Sequence, residues 1–237
     1  MGTPDSYKIF PLGDSAITID FGNIIDVSIN QKVIALFNRL KTIPLQYMIE
    51  AVPAYSSLTI YYDPFIFNKM RAKVSTVFDS IKKEIENWLQ IESGVTENQT
   101  RFMQIPVCYK KEFAPDLEWM AGQKNIPADE LIALHTANNY RVYLIGFLPG
   151  FAYMGEVDEK IAVGRKSQPR QNVLAGSVGI AGKQTGIYPL SSPGGWQIIG
   201  CTPMKLFDVT KEEPVLLKAG DTVQFFSITK EEFLNWQ

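Results

Sequence analysis

The feature that most restricts the fold is the cutting of the second half of the chain into short apolar runs. RVYLIGF, NVLAGSVGIAG, GWQIIG, MKLFDV and PVLLKAGDTVQFFSI follow one another from residue 141, each bounded or broken by glycine or proline. Runs this short, flanked by turn residues, read as buried strands rather than helices. In the last of them, Lys218-Ala219-Gly220-Asp221 reads as a turn between two β runs. Many short strands with regular turn signals predict a closed or nearly closed β barrel over residues 102–237. One helix is well signalled there, ADELIALHTAN, with Leu131, Leu134 and His135 facing inward, and a shorter one is expected over APDLEWMAGQKN.

Residues 1–92 have a different texture and read as a small α+β domain. AITIDF, residues 16–21, alternates Ile17, Ile19 and Phe21 with Ala16, Thr18 and Asp20, the period of a half-buried strand. Ser28 is the expected N-cap of a helix, with Gln31 as its capping-box partner. Ile29, Val33, Leu36, Phe37 and Leu40 follow at helical spacing. Strands are expected near 47–52 and 57–62. Asp63-Pro64 then signals a helix start, and Ile66, Met70, Val74, Val77, Phe78, Ile81, Ile85 and Trp88 lay one apolar stripe on a helix reaching about residue 89. The polar segment 90–102 reads as a linker.

Several function classes are excluded early. A net charge of −2 and the lack of a basic stripe argue against a nucleic-acid binder. No apolar run approaches the ~20 residues of a membrane span, and the N-terminus lacks the pattern of a secretory signal. Gly2 and Ser6 fit a myristoylation pattern, which is read as a chance match. Two cysteines, Cys108 and Cys201, are too few for a disulfide framework, so a reduced cytoplasmic protein is expected. A single histidine, His135, with two distant cysteines makes no zinc site, and no metal is expected. A Ser-His-Asp triad through His135 lacks the G-x-S-x-G elbow.

The chemistry concentrates in PRQNVLAGSVGIAGKQTGIYPLSSPGGWQIIGCTP, residues 169–203. Gly182-Lys183 is not a phosphate-binding loop, because Ser177 stands at the first glycine position and Gln184 at the Ser/Thr position. The glycine spacing does not match a dinucleotide fold either. Taken singly, these glycines fit tight hairpins and barrel corners equally well. Yet Arg170, Gln184, Thr185, Tyr188, Ser191, Ser192 and Trp196 accompany them. Polar and aromatic groups around exposed backbone donors suit an anionic or amide-bearing small molecule, or a partner surface. In YRVYLIGFLPGFAYMG the Pro149-Gly150 corner is expected to bend the barrel and present Phe151 and Tyr153 to a groove.

GFLPGFAYMG, PRQNVLAGSVGIAGKQTGIYP and SPGGWQIIGCTP, together with GDSAITIDFG and LHTANNYRVY, resemble the B-subunit family of the bacterial ATP-dependent 5-oxoprolinase. That family includes allophanate hydrolase subunit 1 and the KipI inhibitor of a sporulation histidine kinase. The resemblance implies an α+β N-terminal domain followed by a mainly β, cyclophilin-like barrel domain. It implies work with 5-oxoprolinase subunits C and A, opening the lactam of 5-oxo-L-proline to L-glutamate with ATP used by the complex. A histidine kinase is the alternative partner, and an amide-carboxylation role as in urea metabolism ranks below both. His135 matches the family histidine, and His135 and Gln184 are the catalytic candidates. Arg170 and Tyr188 are the expected polar substrate contacts, with Phe147, Pro149, Tyr153 and Gly182 beside them. Gly194, Gly195 and Trp196 are expected at the lip of the same groove or at the face meeting the C-subunit. Two positions depart from the family pattern: Cys201 stands where an arginine is usual and Leu174 where a proline is usual.

Overall fold

The computed structural model describes residues 7–70, 76–90 and 101–236. The chain divides into two units, Met1–Gln99 and Thr100–Gln237. Among the described residues no helix is long and apolar enough to cross a membrane.

In the first unit, β1 (Lys8–Pro11), β2 (Ala16–Asp20), α1 (Val27–Thr42), β3 (Met48–Pro53), β4 (Ser57–Tyr62), α2 (Pro64–Met70) and α3 (Val77–Gln90) follow in order. The strands form an antiparallel sheet in the order β1-β2-β4-β3. Ile17, Ile19, Leu58 and Ile60 pack with Val33 and Leu40 of α1 and with Ile81 and Ile85 of α3. β2 is covered more fully than its alternation implies: Thr18 is buried and shares a 3.0 Å hydrogen bond with Thr59 across the sheet.

The helix signals need two corrections. α1 begins one residue earlier than Ser28, and its N-cap is Asp26, whose Oδ1 accepts from the Ile29 N–H at 3.0 Å. Ser28 donates to the same carboxylate at 2.6 Å. A carboxylate reaches the open N–H groups as well as a hydroxyl does and also favours the positive helix end, so Asp26 wins the position. Asp63 caps α2 as expected, accepting from Phe65 and Ile66 N–H at 2.8 and 3.1 Å. The described residues contain two helices where one apolar stripe was expected, and α3 has its own cap in Thr76, which accepts from Asp79 N–H at 3.1 Å. Val74 and most of the 90–102 segment lie outside the described residues.

The second unit contains β5 (Phe102–Val107), α4 (Leu117–Lys124), α5 (Ala128–Ala137), β6 (Asn139–Ile145), β7 (Ala152–Gly155), β8 (Arg170–Val173), β9 (Ser177–Ala181), β10 (Gln184–Ile187), β11 (Ser192–Gly194), β12 (Gln197–Cys201), β13 (Thr222–Ser227) and α6 (Lys230–Leu234). Seven strands make one curled sheet in the order β12-β9-β10-β7-β6-β13-β5. Only β13 and β5 run parallel; the other pairings in this sheet are antiparallel. The two edge strands meet at one point, where Cys108 and Cys201 exchange backbone hydrogen bonds of 2.8 and 3.1 Å. β8 and β11 form a separate two-stranded ribbon.

The concave face is filled by Val107, Val142, Met154, Ile180, Ile187, Ile199, Val223 and Phe225, with Leu131 of α5 packed into the same core. Alternation along β7 sends Ala152 and Met154 into this core and Phe151 and Tyr153 to the opposite face. That opposite face carries the candidate site.

Candidate functional site

The corner after β6 is a tight reversal. Leu148 N–H donates to Gly146 O at 2.9 Å, Phe151 N–H to Leu148 O at 2.9 Å, and Gly146 N–H to Phe151 O at 3.1 Å. The reversal holds Phe147 in the left-handed region at φ 69°, with the residue 63% exposed. Non-glycine residues in that region are uncommon and cluster at ligand and partner sites. The expectation that Phe151 faces a groove is corrected: Phe151 is 1% exposed and forms the floor, while Phe147 and Pro149 stand at the surface. Packing decides this, because Phe151 has ring neighbours on several sides.

Those neighbours form a cluster on the outer face of the sheet. Phe151 meets Tyr153 at 4.8 Å, Tyr188 at 5.2 Å, Trp196 at 5.3 Å and Phe147 at 5.6 Å between ring centroids. Tyr153 and Trp196 lie 5.9 Å apart, edge to face. Val173 of the β8–β11 ribbon and Ile198 of β12 complete the cluster. Gly194 is required here. A Cβ at that position would overlap the Tyr188 hydroxyl and lie 2.8 Å from the ring, so only glycine lets the ribbon approach.

A cationic rim borders these rings. The Arg165 guanidinium sits 6.0 Å from the Trp196 ring centre. Asp116, 3% exposed, accepts from Arg170 Nη2 at 2.6 Å and from Lys166 Nζ at 3.0 Å on one oxygen. Its other oxygen accepts from Ile198 N–H at 2.6 Å. The Asp116 N–H in turn donates to Ile198 O at 2.9 Å, which ties the start of α4 to β12. Burial opposes ionisation of Asp116, but hydrogen bonds from Arg170, the Ile198 N–H and Lys166 outweigh it and hold the carboxyl below its usual range. One carboxylate thus serves two cations, which leaves a net positive rim. Arg170 Nη1 is buried without a hydrogen-bond partner. The Lys166 N–H donates to Gly195 O at 2.7 Å and so fixes the rim against the β11–β12 turn. Burial raises the hydroxyl pKa of both Tyr153 and Tyr188, so both remain donors at neutral pH.

Phe147, Tyr153, Arg170, Tyr188, Gly194, Gly195 and Trp196 are therefore brought together, with Pro149 in the adjoining corner, but Tyr188 and Trp196 are 1% and 4% exposed, so like Phe151 they underlie the surface and do not contact a ligand directly. His135, Gln184 and Gly182 are not. His135 is 0% exposed. Its Nδ1 is 2.8 Å from the Tyr109 hydroxyl and its Nε2 is 3.0 Å from Thr185 Oγ1, while Thr185 donates to Gly179 O at 3.1 Å. With the Thr185 hydrogen committed to that carbonyl, Nε2 carries the imidazole proton and Nδ1 accepts from Tyr109. Desolvation pushes the His135 pKa down to about 3, and its ring stacks on Phe225 at 4.6 Å. The catalytic expectation for His135 is thus corrected: it is a neutral core residue with both ring nitrogens engaged, sealed from any substrate.

Gln184 and Tyr188 share the outer face of β10 and its extension, but four residues of strand separate them by roughly 13 Å. Gln184 starts the strand, paired with Ala181 and Gly155. Gly182, at φ 62°, and Lys183 form the two-residue turn of the β9–β10 hairpin, the place where a left-handed first residue matches strand twist. The Gly182 N–H donates to Val163 O at 2.8 Å, so this turn is no phosphate cradle. The residues missed in the sequence are Asp116, Lys166 and Arg165. Asp116 looks like a helix cap but makes no side-chain cap bond, since its carboxylate is aimed at β12 and the rim. Among the described residues no cluster of three or more His, Cys, Asp or Glu could hold a metal ion.

This arrangement can bind and orient. It offers the exposed Phe147 ring, the half-buried Tyr153 ring with its hydroxyl, and surplus positive charge. Residues 7–217 match the family described as carboxyltransferase domain, subdomain C and D. The chain is 43% identical over 228 residues to the 5-oxoprolinase B-subunit of Bacillus subtilis (strain 168), covering 96% of this chain and 95% of that one. It is similar to the solved protein TTHA0988, with a TM-score of 0.74 and 34% identity, covering 90% of this chain and 40% of the other, so it spans less than half of that structure. The Kluyveromyces lactis urea carboxylase shares the fold at a TM-score of 0.71 and 19% identity, covering 96% of this chain and 22% of that one.

Proposed function

This chain belongs to the carboxyltransferase subdomain C and D family, and from that premise we propose that it serves as the B-subunit of a cytoplasmic, ATP-dependent 5-oxoprolinase. In this reading it works with subunits A and C, and the complex opens the lactam of 5-oxo-L-proline to L-glutamate. The observation that carries the reading is the end-to-end correspondence with the Bacillus subtilis 5-oxoprolinase B-subunit. We read the curled sheet of the second unit as the cyclophilin-like barrel of that family.

The outer-face aromatic cluster and its cationic rim support this reading chemically. 5-Oxoproline combines a flat ring amide with a carboxylate. Phe147 and Tyr153 supply accessible aromatic surface for the ring, the Tyr153 hydroxyl can donate to the amide oxygen, and Arg170, Arg165 and Lys166 attract the carboxylate. Gln184 stands too far along β10 to touch the same small molecule. ATP is left to the assembled complex, and no step is assigned to this chain's residues through it. The chain's contribution is to hold and orient the amide at an interface where the partners bring the remaining groups.

Reconstitution tests this. The chain is mixed with the A and C proteins of its own genome, ATP and 5-oxoproline, and glutamate release is followed with each protein omitted in turn. The expected result is glutamate only when all three are present. Glutamate release that does not need this chain overturns the proposal. The KipI-type alternative predicts that outcome, together with loss of autophosphorylation in a sensor histidine kinase.

A further inference from the structure

Cys108 and Cys201 face each other where the curled sheet closes. Cys108 directly follows β5 and Cys201 ends β12, and these are the two edge strands. Cys108 N–H donates to Cys201 O at 2.8 Å and Cys201 N–H to Cys108 O at 3.1 Å. Two residues that exchange both bonds form the hydrogen-bonded kind of antiparallel pair, with Cα atoms ~5.5 Å apart. That lies inside the ~4.4–6.8 Å range of disulfides. Directly opposed residues also project their side chains to the same face of a sheet. Both thiols are free, Cys108 buried and Cys201 partly exposed. The Cys201 Sγ now rests 3.8 Å from Ala175 O and 3.7 Å from Thr202 O, weak contacts that a disulfide would replace.

We propose that Cys108 and Cys201 form a reversible disulfide across this seam, with a low-molecular-weight disulfide such as oxidised glutathione as the oxidant. The Cys201 thiolate, the more accessible of the two, attacks one sulfur of the small disulfide and expels the first small thiol. The Cys108 thiolate then attacks the Cys201 sulfur and expels the second. The two protein thiols are oxidised, the small disulfide is reduced to two thiols, and these take up the two protons. Lys230, at the start of α6, is the cation near Cys108 and forms a 2.6 Å ion pair with Glu112. Burial, with Cys108 adding to it, pushes the Cys201 thiol up to about 11, so its thiolate is scarce at neutral pH and the link forms slowly there. The inference is independent of the proposed enzyme role.

The test uses the purified full chain, incubated with oxidised glutathione at mildly alkaline pH. Free thiols are counted after denaturation, and non-reducing peptide maps are read by mass. The expected result is loss of both thiols together, a single cross-linked species joining the Cys108 and Cys201 peptides, a monomeric chain on a non-reducing gel, and full reversal by dithiothreitol. The Cys201→Ser chain, changed at the partly exposed member of the pair, is expected to give no cross-linked peptide. Retention of both thiols, glutathione adducts without the internal link, or disulfide-linked dimers would each overturn the proposal.

Discussion

Replacing Asp116 with asparagine removes one charge and reports on three connections at once. Asp116 joins α4 to β12 through Ile198 and holds Lys166 and Arg170 at the rim. Asparagine keeps the shape and one acceptor oxygen, but it cannot neutralise either cation. Breaking a fully buried ion pair by removing one partner costs about 3–5 kcal/mol. Here the Lys166 and Arg170 side chains remain 29% and 26% exposed, so water recovers part of their solvation. A loss of about 2–3 kcal/mol is the reasoned expectation once that screening is allowed for. Urea denaturation followed by tryptophan fluorescence measures it, read as a lower midpoint at unchanged slope. The effect has a pH signature. The folded-state carboxyl titrates below its unfolded value of about 3.9, so its contribution is complete above that pH and disappears as pH falls through the folded pKa. Wild type and Asp116→Asn are therefore expected to differ most near neutrality and to converge in acid. A midpoint shift worth under about 0.5 kcal/mol at neutral pH, the range of ordinary surface substitutions, would refute the central role given to this carboxylate.

Gly194→Ala is expected to displace the Tyr188 ring and cost about 1–3 kcal/mol in local packing, measured as weaker 5-oxoproline binding by calorimetry in the reconstituted complex. Arg170→Lys keeps the charge but loses the planar fork, and a KM for 5-oxoproline raised roughly tenfold, about 1.4 kcal/mol, with kcat little changed is the expected steady-state result. For His135, whose folded pKa lies at about 3, the unfolded chain takes up a proton below about 6.5 while the folded chain does not, so stability falls as pH drops through that window. His135→Gln is expected to weaken that slope in acid-denaturation curves while destabilising the protein at neutral pH, and an enzymatic pH profile that changes with this substitution at full folding would contradict the core assignment.

Much of the strand and helix plan was legible because it follows from period and punctuation. α5 and β9 are set by apolar spacing and by the glycine that permits the β9–β10 turn. The Asp63-Pro64 start was readable from local chemistry alone. Two-sided burial was not. Grouping Gln184 with Tyr188 in one site took no account of distance along the strand, where they stand four residues apart. Nor did the sequence reveal that the outer face of β7, β10 and β12 has its own apolar cluster beneath the β8–β11 ribbon. Asp116 escaped notice because its partners Lys166 and Arg170 lie 50 and 54 residues away. Its local context, just before α4, advertises an ordinary cap. His135 misled for the opposite reason: a rare ionisable residue draws attention whether it faces solvent or a core.

The placement of β13 governs the order in which the protein can assemble during synthesis. This strand is the last of the described strands in chain order, yet it lies between β6 and β5, its residues Thr222 and Gln224 aligned with Phe102 and Gln104. A ribosome-bound chain that has not yet released it has a gap in the sheet, with the hydrogen-bonding edges of β5 and β6 both bare. Such edges invite pairing with other chains, so the nascent polypeptide is exposed to association for as long as β13 has not emerged. Non-local pairing of this kind also slows folding, because the loop must close before its contacts are formed. A chain shortened to end before Thr222 should accordingly be found in aggregates, even though the whole outer-face aromatic cluster would still be encoded.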